Sequence, residues 1–246
     1  MDPQLPVSGS YEDLYAQASR HFELGETEEA QAMFERLVRR LGKLSEHSFA
    51  RRPNLKELQV VCMRSLGVIY GRRGSFEQAM EMYRRLIDLT PPAEHADWQH
   101  AIARLKIRQG HLQEGLDELR ALAVTHGAEA WPWLSLGLVF FETGDEQEAE
   151  VNLRRATDRL TGDSDERFLT FITLFALYKN QGRYAEAEKA WQDAWGGTKK
   201  HPPKVTALYE MYLEAGELKR AESWLRKEKN PLRRGLYKGL IARAGG

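Results

Sequence analysis

Six glycines stand in one shared context along this chain: Gly25, Gly74, Gly110, Gly144, Gly182 and Gly216, separated by 49, 36, 34, 38 and 34 residues. Five residues beyond them come Ala30, Ala79, Gly115, Ala149, Ala187 and Ala221. Nine beyond come Phe34, Tyr83, Leu119, Leu153, Trp191 and Leu225. Eight before stand Gln17, Leu66, Ile102, Leu136, Leu174 and Leu208, and four before stand His21, Tyr70, Lys106, Phe140, Tyr178 and Tyr212. Six copies in register define a repeat of about 34 residues, the spacing of stacked supersecondary units that bury their apolar faces against one another.

Each copy reads as a helical hairpin. Apolar positions recur at helical spacing on both sides of the glycine, and the glycine supplies the left-handed residue that closes a helix C-terminus. Polar residues such as Glu26-Thr27-Glu28 and Asp145-Glu146-Gln147 then open the second helix. The small residue five positions on lets the two helices approach, and the large one nine positions on fills the gap between neighbouring hairpins.

The columns resemble the tetratricopeptide repeat. The family's W-x2-L-G-x2-Y-x3-G-x4-A-x3-F pattern is nearly complete in Trp133, Leu136, Gly137, Phe140, Gly144, Ala149 and Leu153. It is close again in Met63, Leu66, Gly67, Tyr70, Gly74, Ala79, Tyr83 and the trailing Pro91. The resemblance implies an all-α, right-handed solenoid of about six hairpins, over about residues 11–42, 60–92, 96–127, 130–161, 168–199 and 202–230. Residues 1–9 read as a tail, 10–230 as one elongated repeat domain, and 231–246 as a capping helix and tail. The 49-residue gap holds an insertion at about 42–59, either a surface loop or longer helices, and Pro53 favours a fresh helix near Asn54. Three departures stand out. The third copy has Gln99, Lys106 and Gly115 where Trp, Tyr and Ala are usual, and the fifth and sixth have Phe175 and Tyr209 in place of a small residue. Ser10 with Asp13 suggests a capping box. After Pro231, a stripe of Leu232, Leu236, Tyr237, Leu240 and Ile241 is expected to cover the last hairpin.

Composition narrows function mainly by exclusion. Lys+Arg and Asp+Glu are each 36, so the chain is neither a globally basic nucleic-acid binder nor an acidic tail. The single cysteine, Cys62, precludes an internal disulfide and fits a reducing compartment. No basic and apolar leader opens the sequence. The longest apolar runs, Trp131 to Phe141 and Phe168 to Tyr178, fall short of the roughly 20 residues a membrane span needs. The expectation is a cytoplasmic protein with no membrane partner. The seven histidines are scattered, with no zinc-protease spacing and no phosphate-binding glycine loop. No enzyme, metal or cofactor is expected.

Function is then expected in surface recognition. In the resembling family, the first helices line a concave groove for a peptide or protein segment. Carried onto this chain, that groove takes Tyr15 from the first copy, Arg64 and Arg72 from the second, and His100, Arg104 and Arg108 from the third. The fourth gives Trp131, Leu134, Leu138 and Phe141, and the fifth Ile172. The arginines suit carboxylates or phosphates. The apolar set suits an apolar partner side chain, a neighbouring segment or a second copy of the chain. The Lys and Asn clamp of chaperone-binding members is absent: Arg64 and Val68, or His100 and Arg104, occupy those positions. The expected role is a scaffold or adaptor whose partner combines acidic and apolar residues. The alternative is a nucleic-acid-associated or regulatory module using the basic segment Glu217 to Gly246, which holds nine Lys/Arg against three Glu.

Overall fold

A computed structural model describes residues 10–195 and 205–244. The expected tail at 1–9, the join of the fifth and sixth hairpins at 196–204, and the last two residues lie outside that range. Among the described residues there are fourteen α-helices and no strand. The fold is the all-α hairpin solenoid that the repeat spacing predicts.

The helices gather into two compact units, one ending at Leu122 and one beginning at Ala123. The first holds α1 (Tyr11–Glu23), α2 (Thr27–Leu41), α3 (Glu46–Arg51), α4 (Asn54–Arg72), α5 (Phe76–Leu89), α6 (His95–Gln109) and the start of α7 (Leu112–Thr125). The second holds α8 (Trp131–Thr143), α9 (Glu146–Thr157), α10 (Asp165–Asn180), α11 (Tyr184–Trp195), α12 (Thr206–Glu214), α13 (Leu218–Leu225) and α14 (Pro231–Ala244).

The hairpin turn has one form in every copy. All six repeat glycines have φ between +70° and +102°, where a Cβ would be strained. The residue after each donates its N–H to the carbonyl four residues before the glycine: Glu26 to His21, Ser75 to Tyr70, His111 to Lys106, Asp145 to Phe140, Arg183 to Tyr178 and Glu217 to Tyr212. Each of these bonds is 2.9 Å. This six-to-one bond satisfies a carbonyl that the helix end leaves open. The repeat's glycine column and the column four before it are thus two ends of one capping motif.

The insertion resolves into two parts. Ser45 caps the short α3, accepting the Ser48 N–H at 3.3 Å. Pro53 then precedes α4, which runs 19 residues and so extends the second hairpin's first helix toward its N-terminus. Glu12 on α1 holds the joint, accepting from Asn54 Nδ2 at 2.8 Å and Arg52 Nη2 at 3.2 Å. At the start of α1, Ser10 and Asp13 form the reciprocal capping box, each bond 3.1 Å.

The C-terminal helix corrects the sequence expectation. Asn230 Oδ1 accepts from the Leu232 and Arg233 N–H groups, with Pro231 at the first helical position. Ile241 is buried, and Tyr237 stacks edge-on against Tyr209 at 4.4 Å while donating to Glu210. Leu232, Leu236 and Leu240, expected beneath the cap, are instead 83%, 64% and 38% exposed. At 100° per residue the three leucines centre about 120° round the helix from Tyr237 and Ile241. One narrow helix cannot bury both faces against a single hairpin.

Candidate functional site

The tight approach within hairpins depends on missing side chains. A Cβ on Gly67 of α4 would lie 2.7 Å from Tyr83 Cζ of α5, and one on Gly137 of α8 would lie 2.6 Å from Leu153 Cγ of α9. In the third hairpin the arrangement is inverted. Ala103 stands on the first helix, and a Cβ on Gly115 of α7 would meet Ile107 Cγ1 at 2.5 Å and the Ala103 carbonyl at 2.7 Å. The large residues at the usual small position of the fifth and sixth hairpins, Phe175 and Tyr209, are both buried.

Between successive hairpins, the tyrosine four residues before the glycine reaches back to a carboxylate on the preceding second helix. Tyr70 donates to Glu35 at 2.8 Å, Tyr178 to Glu150 at 3.3 Å and Tyr212 to Glu188 at 2.5 Å. Burial first, and then Glu35, push the Tyr70 phenol up to about 12. Burial and then Glu188 raise Tyr212 in the same way. Each tyrosine helps line a cleft between neighbouring second helices, of about 530 Å³ at Tyr70, 240 Å³ at Tyr178 and 300 Å³ at Tyr212. Around Tyr178 the latch grows into a network. Arg183 donates to Glu150 and Glu186, and Arg154 pairs with Glu150 at 2.7 Å. The Arg183 guanidinium, ahead of the opposing cost of burial, holds Glu150 below the usual carboxylate range. Sequence reasoning passed over these latches. The signal was Glu150 and Glu188, each six residues past its glycine and one hairpin before a tyrosine.

The expected arginine set lies in the first unit and divides into pairs. Arg72 is exposed, its guanidinium 5.3 Å from the centre of the Phe22 ring. Arg108 is exposed 5.5 Å from the centre of the Phe76 ring, and its Nη1 lies beside Gly71. Each of these two is oriented by an aromatic face. Arg104 and His100 form the second pair, one turn apart on α6 and half-buried. Burial, with Arg104 adding to it, lowers the His100 imidazole to about 4. Arg64 is exposed on α4. Tyr15 is half-buried, tilted against Phe34 at 6.2 Å, and belongs to the edge of the core.

The apolar set lies in the second unit. Leu134 departs from expectation: it is 5% exposed and part of the core. The reason is that α8 is apolar on nearly every side, and such a helix is enclosed by its neighbours, here α9 and α10. Trp131, Leu138, Phe141 and Ile172 are half-buried and keep accessible surface. Trp131 donates its indole N–H to Glu129 at 2.6 Å and faces the His126 ring at 5.7 Å.

No group of three metal-binding side chains comes together among the described residues. Cys62 is fully buried, and desolvation pushes its thiol up to about 12, so it is a poor nucleophile at neutral pH. Among the described residues no helix is long and apolar enough to cross a membrane.

Two stretches match family models described as tetratricopeptide repeat, residues 14–36 and 60–90. No curated protein matches the sequence. Solved structures are similar in fold. BtubC (BKLC) from P. vanneervenii is 18% identical, with 97% of this chain and 94% of that one covered at a TM-score of 0.59. A thermophilic tetratricopeptide repeat protein of Thermus thermophilus is 20% identical over 84% and 98%, at 0.54. A tetratricopeptide repeat protein of Parabacteroides merdae is 16% identical over 96% and 86%, at 0.51. Two tetratricopeptide repeats are thus matched in the first unit, and the same capping motif recurs in all six copies of a fold shared with tetratricopeptide repeat proteins.

Proposed function

We propose that the chain is a non-enzymatic interaction scaffold that takes an extended or helical segment of a partner protein on the first helices of its hairpins. The observation that carries this reading is the pair Arg72 and Arg108, exposed on α4 and α6 and each set over an aromatic ring. Guanidinium groups held this way are pre-oriented for carboxylates and lose less side-chain freedom on binding. In the second unit, Trp131 and Phe141 on α8 offer a contact of their own, for apolar side chains, and aromatic anchors dominate binding energy at interfaces. The arginines contribute orientation and association rate more than net affinity.

Panning a displayed peptide library on the full chain tests this. Selected peptides should combine Asp or Glu with apolar residues. Trp131→Ala or Phe141→Ala should cost about 2 kcal/mol of their binding. Arg72→Ala with Arg108→Ala should weaken binding mainly at low salt, where screening is least. Peptides that bind both sets of variants at full strength would remove the first helices as the site. Tight binding of generic DNA with a steep salt slope would instead favour the basic C-terminal segment.

A further inference from the structure

The C-terminal helix carries a second recognition surface of a different kind. Leu232, Leu236 and Leu240 point to solvent, and beside them, along one flank of the stripe, stand Gly235 and Gly239, where a Cβ would meet nothing within 4 Å. At 100° per residue these five positions fill one sector of roughly 140°. Arg233 borders its leucine edge and Lys238 its glycine edge, and both are exposed. From Pro231 to Ala244 the sequence holds Arg233, Arg234, Lys238 and Arg243 and no acidic residue. Tyr237 and Ile241 anchor the opposite side of the helix to the last hairpin.

We propose that this face of α14 docks an acidic amphipathic helix of a partner protein. Leucines at every fourth residue are the anchor spacing of helix-on-helix recognition. The two glycines leave a shallow slot beside the leucines into which a partner's side chains fit, and they allow close backbone approach. Cations on both edges select acids on both edges of the incoming helix, as flanking charges do in coiled coils. A second copy of the chain would set cation against cation in either orientation. A lipid surface would draw nothing from the glycines, which are poor helix formers compared with alanine.

The probe is a synthetic amphipathic peptide of about four helical turns, with one leucine stripe flanked by glutamates. Its binding to the full chain is read by fluorescence anisotropy, alongside the same peptide with lysines for glutamates and vesicles of phosphatidylserine and phosphatidylcholine. The acidic peptide should bind and the lysine peptide should not. Leu232→Ser with Leu236→Ser should weaken binding about tenfold or more, because it removes the central anchors. Arg233→Glu with Lys238→Glu should reverse the preference between the two peptides. Gly235→Leu with Gly239→Leu adds side chains into open space, so helicity and melting should hold while binding is lost. Undiminished binding by the glycine pair would overturn close helix docking, as would no binding of the acidic peptide. Vesicle binding in its place, or self-association through this face, would overturn the choice of partner. Peptides selected for the first-helix site should bind Leu232→Ser with Leu236→Ser at full strength, which separates the two surfaces.

Discussion

The second and third hairpins solve one packing problem in opposite ways. In α4/α5 the small residue is Gly67 on the first helix, and it receives the ring of Tyr83 from the second. In α6/α7 the small residue is Gly115 on the second helix, and it lies against Ile107 and the Ala103 carbonyl of the first. The next column differs too. Tyr70 reaches back to Glu35 on the previous hairpin, whereas Lys106 reaches forward to Glu114 and Glu118 on its own second helix, each at 2.6 Å. A copy that looks degenerate against the repeat pattern is therefore a differently wired hairpin. It tightens itself where its neighbour ties to the hairpin before it.

The largest expected effects come from filling the two glycine contacts. Gly115→Ala should destabilise by about 2–3 kcal/mol, the upper range for overpacking, because one of the atoms its Cβ meets is a backbone carbonyl that cannot rotate away. Gly67→Ala should cost less, about 1–2 kcal/mol, since the obstacle is the Tyr83 side chain. Melting curves check both. The sharper comparison is the double substitution: adding Tyr83→Leu should recover most of the Gly67→Ala loss, and adding Ile107→Ala should recover little of the Gly115→Ala loss. Equal recovery would mean that the two hairpins close in the same way.

Acid separates the hairpins next. The His100 imidazole on α6 is held near 4, against 6.5 in the unfolded chain, by burial and by Arg104. A base whose folded pKa is depressed binds more protons unfolded, so its contribution is intact above about pH 6.5 and is lost as pH falls toward 4. The full shift is worth about 3 kcal/mol, and because His100 is only half-buried the expected loss is nearer 2 kcal/mol. Melting temperatures at pH 7.5 and 5 should diverge in the native chain and converge in His100→Gln. A loss that persists in His100→Gln would assign it to another group.

The sequence carried the capping motif in full: glycine needs positive φ, and the residue after it needs a carbonyl five positions before itself, so both leave a fixed spacing. Pro53 likewise marked the start of α4, because its fixed φ suits a helix entry. What could not be read was which side of an apolar helix its neighbours take. Leu134 was expected on the open groove and the Leu232, Leu236 and Leu240 stripe beneath the cap, yet Leu134 is enclosed by α9 and α10 and the stripe lies open. Burial depends on partners distant in sequence, and a single helix's periodicity does not contain them. The seating of Arg72 over Phe22 and of Arg108 over Phe76 is hidden for the same reason.

The tyrosine latch should be a modest contributor. Tyr70→Phe removes one hydrogen bond to Glu35 and keeps the packed ring, so it should cost about 1 kcal/mol. Tyr178→Phe should cost less, because Arg183 and Arg154 still satisfy Glu150. If the Tyr70 and Tyr178 variants melted alike, the network around Glu150 would have no protective effect.

The smallest effect belongs to Lys106, and its sign of salt dependence makes it informative. Its ammonium is largely covered, but Glu114 and Glu118 are both solvent-accessible, so water and salt screen the pairs. Hydrogen bonds to Glu114 and then Glu118 raise the lysine pKa above its ordinary value. A cation whose folded pKa is raised contributes fully below about pH 10.5, and the contribution is lost as pH rises through the folded value. Lys106→Met keeps the aliphatic stem and deletes only the charge. It should cost about 0.5 kcal/mol at low ionic strength and close to nothing at 1 M salt, where the screening length shrinks to about 3 Å. Tyr70→Phe, whose donor is neutral, should cost about the same at both ionic strengths. Two chevron or melting series, each run at low and high salt, make the comparison. A salt-independent cost for Lys106→Met would mean that the stem's packing, rather than its charge, is what the third hairpin uses at this column. A salt-sensitive Tyr70→Phe would mean that the latch acts through the Glu35 charge, and the contrast between the two hairpins would then vanish.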